Sequence, residues 1–169
     1  MTDTLQVTTS GDREIVIVRA FNAPRARVFD AFTKPDLVKR WLLGPPGWSM
    51  PVCEIDLKVG GRFRYVWRNE ARGKDMGVGG AYRELSPPER IVHTELFDED
   101  WTGGETLVTT MFSDENGKTI VTMTVRYASA AAREAALGTG MTRGMAESYD
   151  RLAEVLASDA AQKSSKSAA

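Results

Sequence analysis

The feature that most constrains the fold is a long amphipathic segment near the C-terminus, over residues 140–157. Its apolar side chains recur every three or four positions, which is the spacing of one face of an α-helix. This face carries Met141, Met145, Ser148, Tyr149, Leu152, Val155 and Leu156. Charged residues such as Arg143, Asp150 and Glu154 lie on the opposite face, so the pattern predicts a helix that packs one side against the rest of the chain.

The apolar face of this helix begins with two flexible thioether side chains, Met141 and Met145, and not with a ladder of leucines. Methionine fills irregular gaps in a core, and it also lines binding surfaces that adapt to a ligand. Two interpretations therefore stay open for this face: a plain core stripe, or one wall of a pocket.

The composition fits a single domain of ordinary size, and its net charge is too small to favour a charged partner. The chain has 169 residues, 42% of them hydrophobic, and a formal net charge of -1 at pH 7. A domain of this size buries a sufficient core without disulfides, and a nearly neutral chain has no general attraction to nucleic acid. Cys53 is the one cysteine, which excludes an internal disulfide.

The sequence shows no sign of a membrane segment or of an export signal. No apolar run approaches the roughly 20 residues of a membrane-spanning helix, and the N-terminal residues lack the basic and apolar regions of a signal peptide. We therefore expect a cytoplasmic protein. The polar ends, residues 1–13 and 158–169, have little apolar surface to bury, and we expect both to be disordered around a single domain over residues 14–157.

Local patterns predict the order of the elements before the main helix. Residues 14–21 predict a strand, and Pro24 and Pro35 then each open a short helix. Period-two alternation predicts further strands over residues 52–59, 62–68, 78–85, 91–97, 107–112 and 119–127. The fold class is therefore α+β, with an antiparallel sheet of six to seven strands wrapped around the C-terminal helix.

A third short helix is predicted immediately before the main one. Residues 130–137 have helix-forming composition, and Ser129 is a candidate N-terminal cap. Gly138 and Gly140 follow, and we expect the chain to bend there.

Metal, nucleotide and triad sites find no support in the sequence. His93 is the only histidine and Cys53 the only cysteine, which excludes a zinc site built from these residue types. The glycines over residues 138–144 have the wrong spacing for a nucleotide fingerprint, and no serine stands in the elbow motif of the hydrolases. We therefore predict no catalytic residue, no metal and no cofactor.

Aromatic residues indicate where a ligand would bind. In the strand over residues 62–68 they alternate with arginines, so the rings occupy one face of the sheet. Opposite a helix that carries methionines, this face would form large apolar walls with a few hydroxyl and indole donors. We predict an internal cavity between the two, the alternative being a filled core. The predicted ligand-binding residues are Trp41, Trp48, Phe63, Tyr65, Trp67, Tyr82, Met123, Met141, Met145 and Tyr149.

Short motifs in a fixed order resemble one bacterial family over roughly residues 14–157. They include FNAP at residues 21–24, VFDAFT at 28–33, EIDL at 54–57, GGRF at 60–63, YREL at 82–85 and PER at 88–90. The chain resembles the family named after activators of the ATPase of the ninety-kilodalton heat-shock chaperone. The resemblance implies the helix-grip fold shared by START lipid-transfer domains and the birch-pollen allergen, with two short helices after the first strand. It also implies ligand binding in the groove between sheet and helix.

Three functional hypotheses follow from these observations. The first is binding of a small apolar or aromatic molecule in the cavity. The second is an interaction module that stimulates a heat-shock chaperone ATPase through the outer sheet surface, where Arg62, Arg64 and Arg68 form a basic row. The third is a hydratase-like or cyclase-like enzyme that uses the same cavity. In that case proton transfer would fall to His93, Glu95 or Tyr65.

Oligomeric state is not encoded in any motif of this sequence. Symmetric homodimers are common among proteins of this size, and a homodimer is a hypothesis on that ground alone.

Overall fold

A computed structural model describes the backbone of residues 4–168 and the side chains of residues 4–160. The strands are β1 Gln6–Ser10, β2 Glu14–Phe21, β3 Trp48–Ile55, β4 Arg62–Asn69, β5 Lys74–Ser86, β6 Arg90–Phe97, β7 Thr106–Glu115 and β8 Lys118–Arg126. The helices are α1 Arg25–Thr33, α2 Pro35–Trp41, α3 Ala130–Leu137 and α4 Met141–Ala168. The predicted α+β class and the order of its elements are confirmed.

The strands form one eight-stranded antiparallel sheet in the order β1-β2-β8-β7-β6-β5-β4-β3. Strands β3 to β8 follow one another as a meander, and β2 pairs with β8 along its whole length. Helix α4 packs against the sheet, which is the predicted helix-grip arrangement. The strand count is higher than the predicted six to seven because β1 adds a strand outside β2.

Strand β1 lies in a region where the sequence predicted disorder. Gln6 pairs with Val18 and Ser10 pairs with Glu14, and Leu5 and Val7 pack partly against the core. The expectation of disorder over residues 1–13 is wrong for β1, because an edge strand can be held by backbone pairing while most of its side chains stay exposed. Residues 1–3, which belong to the same expectation, lie outside the described residues.

Helix α4 is longer than the predicted residues 140–157, since it continues to Ala168. It therefore passes through most of the segment that was expected to be disordered; Ala169 lies outside the described residues. An ion pair at 3.2 Å joins Asp159 of this extension to Arg40 of α2.

Strand β3 occupies Trp48–Ile55, four residues earlier than its predicted start at residue 52. The pairing with β4 is interrupted between Ser49 and Val52, which leaves Pro51 in an irregular part of an edge strand, where its missing N–H does least harm. After Ile55 the chain turns tightly. Gly61 is required in this turn because a Cβ there would collide with the carbonyl oxygen of Asp56.

One face of helix α4 is fully buried along one part of its length and only partly buried along another. Leu152 is fully buried and Val155 is 8% exposed, and both belong to a cluster with Ile15 and Val121 of the sheet. Met145, one turn before Tyr149, is only partly buried, although the sequence predicted it to be buried against the sheet. The first turns of α4 therefore stand away from the closely packed region.

The short helices begin and end as their sequences require. Pro35 occupies the first turn of α2, and the Ser129 hydroxyl caps α3 by accepting a 3.0 Å hydrogen bond from the Ala132 amide. Gly140, with φ +80, makes the predicted bend between α3 and α4. In the part of the chain that the structure describes, no helix combines the length and the apolar character needed to cross a membrane.

Candidate functional site

A cavity of about 590 Å³ lies between the sheet and the N-terminal half of α4. Strands β4, β5 and β6 provide one wall, the first turns of α4 provide the opposite wall, and the segment after α2 lies at the side. Strands β7 and β8 contribute a smaller part through residues such as Thr110 and Met123. This volume falls within the range of about 300–1,000 Å³ that is usual for small-molecule sites.

All of the ligand-binding residues predicted from the sequence line this cavity. They differ in how much of their surface is free. Trp41 is 1% exposed and Tyr149 is fully buried, so these two form the packed layer at the back of the wall. Tyr65, Trp67 and Met145 are half-buried and present free surface to the space.

The lining also gathers residue types that are scattered along the sequence. All four tryptophans and all four tyrosines of the chain belong to it. The single histidine, His93, lines it as well. Four of these aromatic residues, Trp41, Tyr82, Tyr127 and Tyr149, are also buried members of the core, so the free aromatic surface comes chiefly from the others.

The sheet wall is a continuous row of aromatic rings. Along β4, the ring centres of Phe63 and Tyr65 are 5.0 Å apart, and those of Tyr65 and Trp67 are 6.0 Å apart. Trp67 lies nearly parallel to Phe97 of β6, at 6.4 Å and 21°, and Phe97 contacts Trp101 at 4.7 Å. The Trp67 indole N–H donates a 2.7 Å hydrogen bond to the Leu42 carbonyl, which fixes this ring in place.

The helix wall is made of small and flexible residues. A Cβ at Gly144 would stand 3.6 Å from the Pro45 side chain, so the absent side chain leaves the helix and the segment after α2 close together. Met141 accepts a 3.4 Å hydrogen bond at its sulfur from the Tyr127 hydroxyl. Met145 packs beside them without a directional bond.

Arg151 holds the segment after α2 against the helix. Its guanidinium donates hydrogen bonds of 3.1 Å to the backbone carbonyls of Trp41 and Gly44. The Trp41 indole N–H in turn donates a 2.8 Å bond to the Ala31 carbonyl in α1. These bonds position the side of the cavity formed by Leu42 and Leu43.

A few polar side chains lie among the apolar walls of the cavity. Glu95 and His93 lie two residues apart on β6, with their side chains 26% and 17% exposed and with 3.8 Å between His93 Nε2 and a Glu95 carboxylate oxygen. Among the side chains that the structure describes, His93 Nδ1 and the Tyr149 hydroxyl are buried without a hydrogen-bond partner. The cavity therefore contains unused capacity for hydrogen bonds.

Burial raises the pKa of every tyrosine in the lining. It raises the pKa of Tyr65 well above its usual value, with a smaller effect from Tyr82, and it raises the pKa of Tyr82 and of Tyr149 as well. The pKa of Tyr127 is raised to about 12 by burial and by the charge of Glu95. All four hydroxyls are therefore neutral donors at ordinary pH.

Sequence reasoning missed several lining residues, including Phe97, Trp101 and Leu42. Phe97 could have been found, because it shares the period-two face of β6 with His93 and Glu95. Trp101 and Leu42 stand in connecting segments whose path depends on the tertiary fold, so no local pattern indicated them.

The outer face of the sheet is less basic than its sequence suggested. Arg64 donates hydrogen bonds of 2.7 and 2.6 Å to the two carboxylate oxygens of Asp98, and Arg68 pairs with Asp75 at 2.7 Å. These bonds lower the pKa of both aspartates below the usual range. Two of the three arginines in the predicted basic row are therefore neutralised by a partner.

Comparison with known proteins identifies relatives along nearly the whole domain. The family model described as Activator of Hsp90 ATPase homolog 1-like protein matches residues 22–157. A solved structure of a protein from Rhodobacter sphaeroides has 35% sequence identity and a TM-score of 0.87, and the match covers 92% of this chain and 99% of that chain. None of the curated proteins matches the chain significantly.

More distant structures share the fold. A protein from Chromobacterium violaceum has 28% identity and a TM-score of 0.73, with 85% of this chain and 96% of that chain covered. A protein from Mycobacterium smegmatis has 22% identity and a TM-score of 0.79, with 90% and 96% covered. At the latter identity the similarity supports the fold alone.

Proposed function

This chain belongs to the family of Activator of Hsp90 ATPase homolog 1-like proteins, and from its cavity we propose that it binds a small, mostly apolar molecule between the sheet and α4. The proposed binding residues are those predicted from the sequence, with Phe97 and Trp101 added. In this proposal the protein acts in the cytoplasm, and binding requires no cofactor.

One observation carries the proposal: a space of about 590 Å³ whose lining includes every tryptophan and tyrosine of the chain. Protein interiors normally pack to the density of organic crystals, with few voids larger than a water molecule. Where the walls of such a space face no other side chain, their aromatic surfaces lack dispersion contacts from the protein. A bound apolar molecule would supply those contacts, and each Å² of apolar surface removed from water contributes about 25 cal/mol.

The test is a titration with an apolar dye whose emission depends on its surroundings. We expect one dye molecule to bind per native chain. Gly144→Leu should weaken this binding, because the new side chain would enter the space beside Pro45. The matched control is Gly138→Leu, which adds the same side chain at an exposed position outside the lining and should leave dye binding unchanged.

Two results would contradict the proposal: no stoichiometric binding by the native chain, or equal effects of the two leucine substitutions. Native mass spectrometry of the purified protein gives an independent measurement. A small molecule that co-purifies with the wild type and is depleted in Gly144→Leu would identify the class of ligand.

Stimulation of a chaperone ATPase ranks lower as a function. It rests on the description of the family, and the basic row proposed to carry it is reduced by the Arg64–Asp98 and Arg68–Asp75 pairs. Exposed ion pairs of this kind leave little net charge for a partner to recognise.

An enzymatic use of the cavity has one observation in its favour. His93, Glu95 and Tyr65, the residues considered for proton transfer, all line the same space, and His93 approaches Glu95 to 3.8 Å. The test is to incubate an identified ligand with the protein and to follow its conversion. Binding without conversion favours the first proposal.

A further inference from the structure

The side chain of Glu95 stands in a surrounding that is unusual for a carboxylate. It projects from β6 into the cavity lining, where most of its neighbours are aromatic or aliphatic, and only 26% of it is exposed. Placing a charge in apolar surroundings is costly unless the charge is paired and hydrogen-bonded. The Glu95 oxygens are not among the fully buried atoms, so they are open to a protonated group that enters the cavity.

Within the described residues, the Glu95 carboxylate has no hydrogen-bonded partner. The one basic side chain within 4 Å of it is that of His93, whose Nε2 at 3.8 Å is beyond hydrogen-bond distance. By contrast, the exposed Asp98 on the outer face accepts two short bonds from Arg64. The Glu95 carboxylate is thus free to pair with a ligand.

Glu95 also acts on much of the cavity through its charge. Its negative charge contributes to raising the pKa of Tyr65, Tyr127 and Tyr149, which stand on three different elements. The Glu95 carboxylate therefore lies near tyrosines on β4, on α4 and after β8.

The surfaces next to this carboxylate suit a cation. Phe97 follows Glu95 on the same face of β6, and Trp67 stacks beside Phe97 at 6.4 Å. Aromatic faces attract ammonium groups through the negative potential over the ring. The cationic residue in the lining, Arg143, does not compete, because its side chain is 86% exposed and pairs with Glu147 at 3.4 Å.

We propose that the cavity is selective for an organic cation: a molecule with an apolar or aromatic body and one protonated amine, which donates hydrogen bonds to Glu95 while the body lies against Tyr65, Trp67 and Phe97. This inference rests on the proposed function, since it needs the cavity to bind a small molecule. It adds the charge and the polar group of the ligand, which the apolar walls alone do not specify.

The test compares three probes that share one body and differ in one group. They are 2-(naphthalen-2-yl)ethylamine, which is cationic at pH 7, the neutral 2-(naphthalen-2-yl)ethanol, and the anionic 3-(naphthalen-2-yl)propanoate. Isothermal titration calorimetry measures the Kd of each for the wild type, for Glu95→Gln and for Glu105→Gln. Glu105 is exposed and outside the lining, so its variant removes the same charge without touching the cavity.

We expect the amine to bind the wild type at least about tenfold more tightly than the alcohol, and the propanoate to bind weakest, because a hydrogen bond to a charged group contributes on that scale. Glu95→Gln should weaken amine binding by about tenfold or more and leave the alcohol unchanged. Glu105→Gln should change neither.

The outcomes separate this inference from the proposed function. If the alcohol binds and Glu95→Gln leaves the preference among the probes unchanged, the cavity binds small molecules and the cation inference is wrong. Preference for the propanoate would also overturn it. If none of the three probes binds the wild type, both the inference and the proposed function are contradicted.

Discussion

The hydroxyl oxygen of Ser148 in α4 accepts a 2.8 Å hydrogen bond from the backbone amide of Gly44. The two residues are far apart in the sequence, and their bond ties the segment after α2 to the helix beside the cavity. Ser148 is only 2% exposed, so the hydroxyl that accepts this bond is buried. The cavity wall at Leu42 and Leu43 therefore depends on one buried hydroxyl in addition to the bonds from Arg151.

Replacement of this hydroxyl should loosen the wall. Ser148→Ala leaves the Gly44 amide without its acceptor, and we expect a loss of about 1 kcal/mol in the free energy of unfolding, with faster release of a bound dye. Urea titration and stopped-flow displacement measure the two effects. Ser113→Ala, at an exposed position of β7, is the control. Unchanged release from Ser148→Ala would show that the bond does not restrain the segment.

The core beneath α4 should be sensitive to a single truncation. Leu152 is fully buried within the main hydrophobic cluster. Leu152→Ala removes packed methyl groups and leaves a void, so we expect the free energy of unfolding to fall by about 2–5 kcal/mol. Glu154→Ala, at an exposed position on the same helix, should change it by less than about 0.5 kcal/mol. Equal changes in the two variants would place Leu152 outside the core.

Stability should fall in alkaline solution because of the tyrosines. An unfolded tyrosine has a pKa of about 10, whereas the pKa of Tyr127 is raised to about 12 in the folded protein. As the pH rises, the unfolded chain therefore loses this proton before the folded protein does. The contribution of Tyr127 to the free energy of unfolding is complete below pH 10 and is lost progressively as the pH rises toward 12. Urea titrations at several pH values, followed by far-ultraviolet circular dichroism, measure the loss.

The control for this pH dependence is Tyr127→Phe, which removes one titrating group. Its stability should fall less steeply between about pH 10 and pH 12 than that of the wild type. Superimposable profiles for the two proteins would contradict the assignment to Tyr127.

We expect no stimulation of a heat-shock chaperone ATPase by this protein. The outer arginines that would carry such an effect through screened charge are largely paired with aspartates. An ATPase assay over a range of protein concentrations and salt checks this. A concentration-dependent, salt-sensitive rise that disappears when Arg62 and Arg64 are changed to Glu would raise the chaperone hypothesis above ligand binding.

The parts of the fold predicted from sequence were those with strong local periodicity. The strand over residues 14–21 and the helix over residues 130–137 have the bounds of β2 and α3 in the structure. Strand β1 was missed because Gln6–Ser10 are held chiefly by pairing with β2, and a pairing partner is not visible in the local sequence. The same reason applies to the end of α4, where Asp159 meets Arg40 from a distant helix.

The candidate site was predicted better on the sheet than in the connections. Alternation in β4 placed Phe63, Tyr65 and Trp67 on one face, and the structure has all three in the lining. Alternation does not reveal which of the lining groups lack partners. The missing acceptor of His93 Nδ1 and the missing donor for Glu95 follow from three-dimensional surroundings that no spacing encodes.

The concentration of all tryptophans around the cavity has a practical consequence for every optical experiment on this protein. Intrinsic emission will report events in the cavity and very little from the β1 edge or the end of α4. A ligand that absorbs near 350 nm would accept excitation energy from several indoles at once. The native chain thus carries its own reporter of occupancy, and no attached label is needed to screen for ligands.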